Sequence, residues 1–135
     1  MDEERRRKEI QTALLRDVPM AGSREAGRLL GLSDPDASAA LDRLEAEGRL
    51  LRYTRAGEPV YPLFQFDAAG SRVHPIMADL LAMRSEDWGG PFAFLAWMVT
   101  PSRSLGDARP SESLAGHPER VRQAFYAEVT EHLHG

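Results

Sequence analysis

Residues 23–48 read SREAGRLLGLSDPDASAALDRLEAEG, and this stretch decides the fold. Ser23 is a natural N-cap for a short helix whose inner face is Ala26, Leu29 and Leu30, and Gly31 closes it in the conformation that glycine adopts at no steric cost. A second helix follows at once. Ser33 or Asp34 caps it, Pro35 suits its first turn, and Ala37, Ala40, Leu41 and Leu44 form one apolar stripe before Gly48 ends the run. The break at Gly31-Leu32-Ser33 has the length of the turn inside a helix-turn-helix.

Working outward, residues 2–17 predict a preceding helix. Ile10, Ala13, Leu14 and Val18 share one face at helical spacing, Asp2-Glu3-Glu4 suits the positive end of the helix dipole, and Pro19 and Gly22 stop it. On the other side, Arg49 to Arg55 predicts a strand, Ala56-Gly57-Glu58 a turn, and Val60 to Phe66 a second extended segment. Pro59 and Pro62 restrict that segment to an edge or a short ribbon. Three helices and then a hairpin is winged-helix order. Asp67 to Ser71 reads as a turn between halves, dividing the chain into a helix-turn-helix domain at residues 1–66 and a helical domain at residues 67–135.

The second half predicts four helical pieces. Val73, Ile76, Met77, Leu80 and Leu81 give an amphipathic helix, with Pro75 at its start and residues 86–90 interrupting. Residues 91–99 are apolar nearly all round, so that helix belongs in a core or under a partner. Residues 101–110 are a loop, residues 111–115 a single turn, and Pro118 to about Leu133 a last helix with Val121, Ala124, Phe125 and Val129 on one face. The expected fold is therefore mainly α, with one short β-hairpin wing.

Bulk properties narrow the function. The chain has 135 residues, 42% of them hydrophobic, enough for a buried core. The formal net charge is −4, so nucleic-acid contact would need a local basic patch. Residues 1–66 carry 11 basic and 12 acidic side chains, and residues 67–135 carry 6 and 9, so neither half is a basic tail. The absence of cysteine excludes disulfides, thiolate metal sites and cysteine nucleophiles. No apolar stretch follows the charges of Met1 to Lys8 and no run approaches membrane-spanning length, so a soluble, cytoplasmic protein without membrane contact is expected.

Catalytic constellations are missing. The histidines stand apart at positions 74, 117, 132 and 134; on a helix His132 and His134 point about 200° from one another and cannot share a metal. Gly89-Gly90 runs into Pro91, which has no amide donor for a phosphate. Ser102 and Ser104 lie in a loop with no recognisable base. The sequence implies no enzyme, no cofactor and no metal.

A helix-turn-helix can read DNA. Ser38 and Arg43 on its second helix would donate to bases or phosphates, with Arg24, Arg28 and Arg52 in the surrounding rim. Asp34, Asp36, Asp42, Glu45 and Glu47 oppose this, because they bring like charge to the phosphates.

The junction Tyr61-Pro62-Leu63-Phe64-Gln65-Phe66-Asp67 sets one glutamine among aromatics, and a buried carboxamide there would have to hydrogen-bond to backbone. Downstream come Trp97, Pro101, Leu105-Gly106, Arg109-Pro110, Glu112 and Leu114. In order and spacing these motifs resemble the Xre/MbcA/ParS family of antitoxins over about residues 60 to 130. One departure is Ser102, where the family tends to have asparagine. The resemblance implies an antitoxin of a type II toxin–antitoxin system that binds and inhibits a RES-type toxin, which destroys NAD, and that represses its own operon by binding operator DNA. It also implies that the C-terminal helix and tail reach towards the toxin's active site. The implied toxin-binding residues are Trp97, Pro101, Leu105, Gly106, Arg109 and Pro110, which shape the domain, and Arg120, Arg122, Tyr126, Glu131, His132 and His134, which are placed for contact. A homodimer or a toxin–antitoxin hetero-oligomer is the expected assembly. The competing expectation is a stand-alone winged-helix transcriptional regulator whose C-terminal half dimerises it.

Overall fold

The computed structural model of the chain describes residues 2–85 and 87–134, without the side chains of residues 132–134. It is 59% helical, with seven α-helices and small antiparallel sheets among the described residues.

Helix α1 spans Asp2–Asp17, strand β1 Met20–Ala21, α2 Ser23–Leu29 and α3 Asp34–Ala46. Gly31 and Gly48, at φ +73° and +72°, follow α2 and α3 in the left-handed conformation the sequence required of them. In each case the next residue reaches back to the last turn: the Leu32 N–H donates to the Gly27 carbonyl at 2.9 Å, and the Arg49 N–H to the Leu44 carbonyl at 3.0 Å. The N-cap of α2 is Gly22, with Ser23 as the first helical residue, and the N-cap of α3 is Ser33. Helices α2 and α3 pack closely because Gly27 has no side chain; a Cβ there would lie 2.5 Å from the Ala37 Cβ.

Strands β2 (Tyr53–Arg55) and β3 (Glu58–Pro62) form the expected hairpin, with Ala56 at φ +53° and Gly57 at φ +80° in its turn. β1 adds to the other side, so β3 is the central strand of the order β1-β3-β2. Its prolines are accommodated because the neighbours cover different halves: β2 pairs with residues 58–60 and β1 with residues 61–62. Locally the sheet is a two-stranded ribbon.

Two expected boundaries move, for one reason. The first strand does not extend back to Arg49, because the main-chain groups of Leu51 are taken by the Gln65 side chain. The second does not run through to Phe66, because a 3₁₀ turn at Leu63–Gln65 turns Gln65 into the core, where it is fully buried. Strands β4 (Phe66–Asp67) and β5 (Arg72–Val73), which the sequence did not suggest, then frame the turn expected between the halves. That turn lies against the α2–α3 turn: a Cβ on Gly31 would be 3.7 Å from the Ser71 Cβ.

Helices α4 (Ile76–Met83), α5 (Pro91–Met98), α6 (Pro110–Ser113) and α7 (Pro118–His134) complete the chain, with a 3₁₀ turn at Arg103–Leu105. One apolar core runs through both halves, from Val18, Leu41 and Tyr61 to Met77, Phe94, Phe125 and Val129. The Tyr53 hydroxyl donates to the Pro91 carbonyl at 2.6 Å and ties the hairpin to α5; burial pushes its phenol well above the ordinary tyrosine range.

Candidate functional site

Helix α7 presents the most distinctive surface of the second half. Its inner face is Val121, Ala124, Phe125 and Val129, all buried. Phe125 is fully enclosed and touches three aromatics: Trp97 at 4.8 Å between ring centroids, Trp88 edge-on at 5.1 Å and Phe94 edge-on at 5.3 Å. Tilted and edge-on pairs of this kind each add roughly 0.5–1.5 kcal/mol beyond area burial, so α7 is held firmly. Arg120, Gln123 and Tyr126 are exposed away from that face, and Arg122 is exposed at its edge. Tyr126 is 60% exposed, one of only two large apolar side chains so placed among the described residues.

Arg122 is tied down. It lies 3.4 Å from Glu119 and 4.0 Å from Asp79, bridging α7 to α4. Arg120 makes no ion pair among the described residues. Glu131 is exposed on the last turns, and the helix continues through His134, so the C-terminal segment is an extension of α7. The side chains of His132 and His134 lie outside the described residues.

The loop from Pro101 to Pro110 is closed by its own main chain. The Ser102 N–H donates to the Ala108 carbonyl at 3.0 Å, and the Ser102 carbonyl accepts from Leu105 at 3.0 Å and from Asp107 at 2.9 Å. All three bonds are made by main-chain groups and do not involve the Ser102 side chain. Gly106 at φ +63° and Asp107 at φ +68° make the bend. Leu105 and Pro110 are buried and fix the loop to α7, Trp97 is half-buried against Phe125, and Pro101, Gly106 and Arg109 face outward. Arg109 lies 3.7 Å from Glu112. The implied toxin-binding residues thus divide into a packing group (Trp97, Leu105, Pro110) and an exposed group. Trp88 and Phe125, which complete the aromatic cluster, were not singled out: Trp88 stands in a Gly-flanked interruption, and Phe125 reads only as one core position among four.

On the first half, all five DNA-binding candidates are exposed. Two are occupied locally: Arg24 lies 3.5 Å from Asp34 and Arg52 lies 3.3 Å from Glu45. Arg28, Ser38 and Arg43 have no such partner among the described residues. Arg43 borders a shallow groove shared with Arg49, Arg72 and Glu47.

Among the described residues no group of three or more histidines or carboxylates stands close enough to hold a metal ion. No helix there is long and apolar enough to cross a membrane.

No family is assigned by comparison. No protein-family model matches this chain, and neither curated proteins nor solved structures provide a match.

Proposed function

We propose that the chain is an antitoxin: it binds a RES-type, NAD-degrading toxin through α7 and the C-terminal segment, and so blocks the toxin's active site. The observation that carries this reading is the contrast between the two faces of α7. An exposed Tyr126 and an Arg120 without an ion pair among the described residues sit on a helix whose inner face is locked by Phe125 and three aromatic rings. Tyrosine and arginine presented on a rigid element are the side chains that most often anchor a protein interface. The arrangement of motifs around Trp97, Pro101, Leu105-Gly106 and Arg109-Pro110 supports the same family, and the helical continuation to His134 gives the C-terminal segment the stiffness to enter a cleft. The assembly is a toxin–antitoxin hetero-oligomer in a bacterial cytoplasm.

In this proposal α1–α3 and the β2–β3 hairpin are a helix-turn-helix with a wing, and operator binding is the second role, resting on Arg28, Ser38 and Arg43. The exposed acids of α3 and the internal pairing of Arg24 and Arg52 hold that affinity down. The rival reading, a stand-alone regulator dimerised by its C-terminal half, draws on the same three exposed residues. Deletion of residues 130–135 separates the two. The antitoxin reading requires the truncated chain to lose protection of NAD in the presence of the toxin while its affinity for operator DNA is unchanged. Full protection by the truncated chain would contradict the plugging mechanism.

A further inference from the structure

Helix α1 lines a groove between itself and α5 with Glu3, Arg6, Arg7, Ile10, Gln11 and Leu14. These positions follow one another at the three- and four-residue steps of a single helix face. A stripe that faces a neighbouring helix is ordinarily apolar throughout. Here Leu14 is half-buried and Ile10 is 55% exposed, but the first half of the stripe presents two arginines. Neither Arg6 nor Arg7 has an ion pair or hydrogen bond among the described residues. The groove has a volume of about 600 Å³, in the range of small-molecule sites, and its floor is Phe92, Ala93 and Ala96. That floor is preformed: the Phe92 ring lies 5.1 Å from the ring of Tyr53, whose hydroxyl holds the Pro91 carbonyl. A second groove, which also shares Ile10 and Leu14, has its charges matched within the chain. There Asp17 lies 2.9 Å from Arg16, and Glu112 lies 3.7 Å from Arg109.

The first groove thus joins an apolar floor to an unmatched charge at one end. Two arginines against one glutamate leave a single positive charge, which a monoanion neutralises. Guanidinium groups bind carboxylates through paired, charge-assisted N–H donors. We propose that this groove binds an apolar monocarboxylate of the medium-chain fatty-acid class. Its carboxylate lies on Arg6 and Arg7, and its tail runs along Ile10, Phe92 and Ala96. The short side chains of Ala93 and Ala96 leave the tail room against α5. The site shares no residue with α7 and is independent of the toxin reading: a chain that neutralised no toxin would still bind this ligand.

The test is isothermal titration of the full chain with decanoate and with decylamine, which has the same tail and the opposite charge. One decanoate per chain is expected, bound about tenfold or more tightly than decylamine, the usual effect of a hydrogen bond to a charged group. The double variant Arg6→Gln, Arg7→Gln should lose that preference. Ala93→Trp, at an exposed position, fills the floor and should weaken decanoate by about tenfold or more. Its circular dichroism spectrum should be unchanged. Equal affinity for the two compounds would overturn the proposal. Decanoate affinity retained by both variants would also overturn it, as adsorption elsewhere. Absence of decanoate binding would overturn it and leave the face to a protein. Light scattering tests one such protein: a two-chain mass that Ile10→Lys reduces to one-chain mass would assign the face to a second copy and overturn the proposal as well.

Discussion

The Gln65 carboxamide binds both main-chain groups of Leu51: its Oε1 accepts from the Leu51 N–H at 2.8 Å, and its Nε2 donates to the Leu51 carbonyl at 3.0 Å. A side chain thus does for Leu51 what a neighbouring strand would do, fourteen residues away in sequence. The Gln65 carbonyl accepts from the His74 N–H at 2.8 Å, so one residue joins the hairpin, the 3₁₀ turn and the start of the second half. Gln65→Leu would leave a donor and an acceptor unpaired in the core, at about 1–3 kcal/mol each. Urea unfolding should show a loss of about 2–5 kcal/mol. A loss below about 1 kcal/mol would mean that water replaces the carboxamide there.

Phe125 and Tyr126 are adjacent and should behave oppositely. Phe125→Ala opens a cavity among Trp88, Phe94 and Trp97, and large aromatic-to-alanine changes in cores cost about 3–5 kcal/mol. Tyr126→Ala removes an exposed ring and should stay within about 0.5 kcal/mol of wild type. Thermal unfolding of the two variants side by side checks the orientation of α7.

The α2–α3 contact depends on a missing side chain. Gly27→Ala would set two Cβ atoms 2.5 Å apart, so the helices must separate. Alanine's better helix propensity returns only about 1 kcal/mol, and overpacking costs about 1–3 kcal/mol. Net destabilisation is expected; a variant more stable than wild type would show that the two helices part freely.

His74 makes stability fall on acidification. Burial lowers its pKa below the ordinary histidine value of 6.5, the nearby Asp67 offsetting part of this. A group whose folded pKa is depressed stabilises the fold above its unfolded pKa and loses that contribution as pH falls through the folded value. Stability should therefore decline from about pH 6.5 downward. His74→Gln should flatten that decline in urea titrations at successive pH values, and an identical slope would remove His74 as the cause.

The helices were legible because each carries its own punctuation: Gly31 and Gly48 end α2 and α3, and Thr100-Pro101 ends α5. Strand limits were less so, because Leu51 and Gln65 leave the ladder through a side-chain contact that no local pattern encodes. The two-residue strands β1, β4 and β5 are too short to show a period of two. At the candidate site the core face of α7 could be read from its spacing. The enclosure of Phe125 by Trp88, Phe94 and Trp97 could not, since it is assembled from three separate segments. Likewise the pairing of Arg24 with Asp34 and of Arg52 with Glu45 follows from tertiary proximity, which sequence spacing does not report.

The central claim is tested most directly by titrating the purified chain into a RES-type toxin from the same host while following NAD. The account predicts that NAD loss stops at an equimolar ratio, and that Tyr126→Ala, still folded, weakens inhibition roughly 30-fold, the equivalent of about 2 kcal/mol at an interface anchor. Undiminished NAD loss in the presence of excess wild-type chain would contradict it.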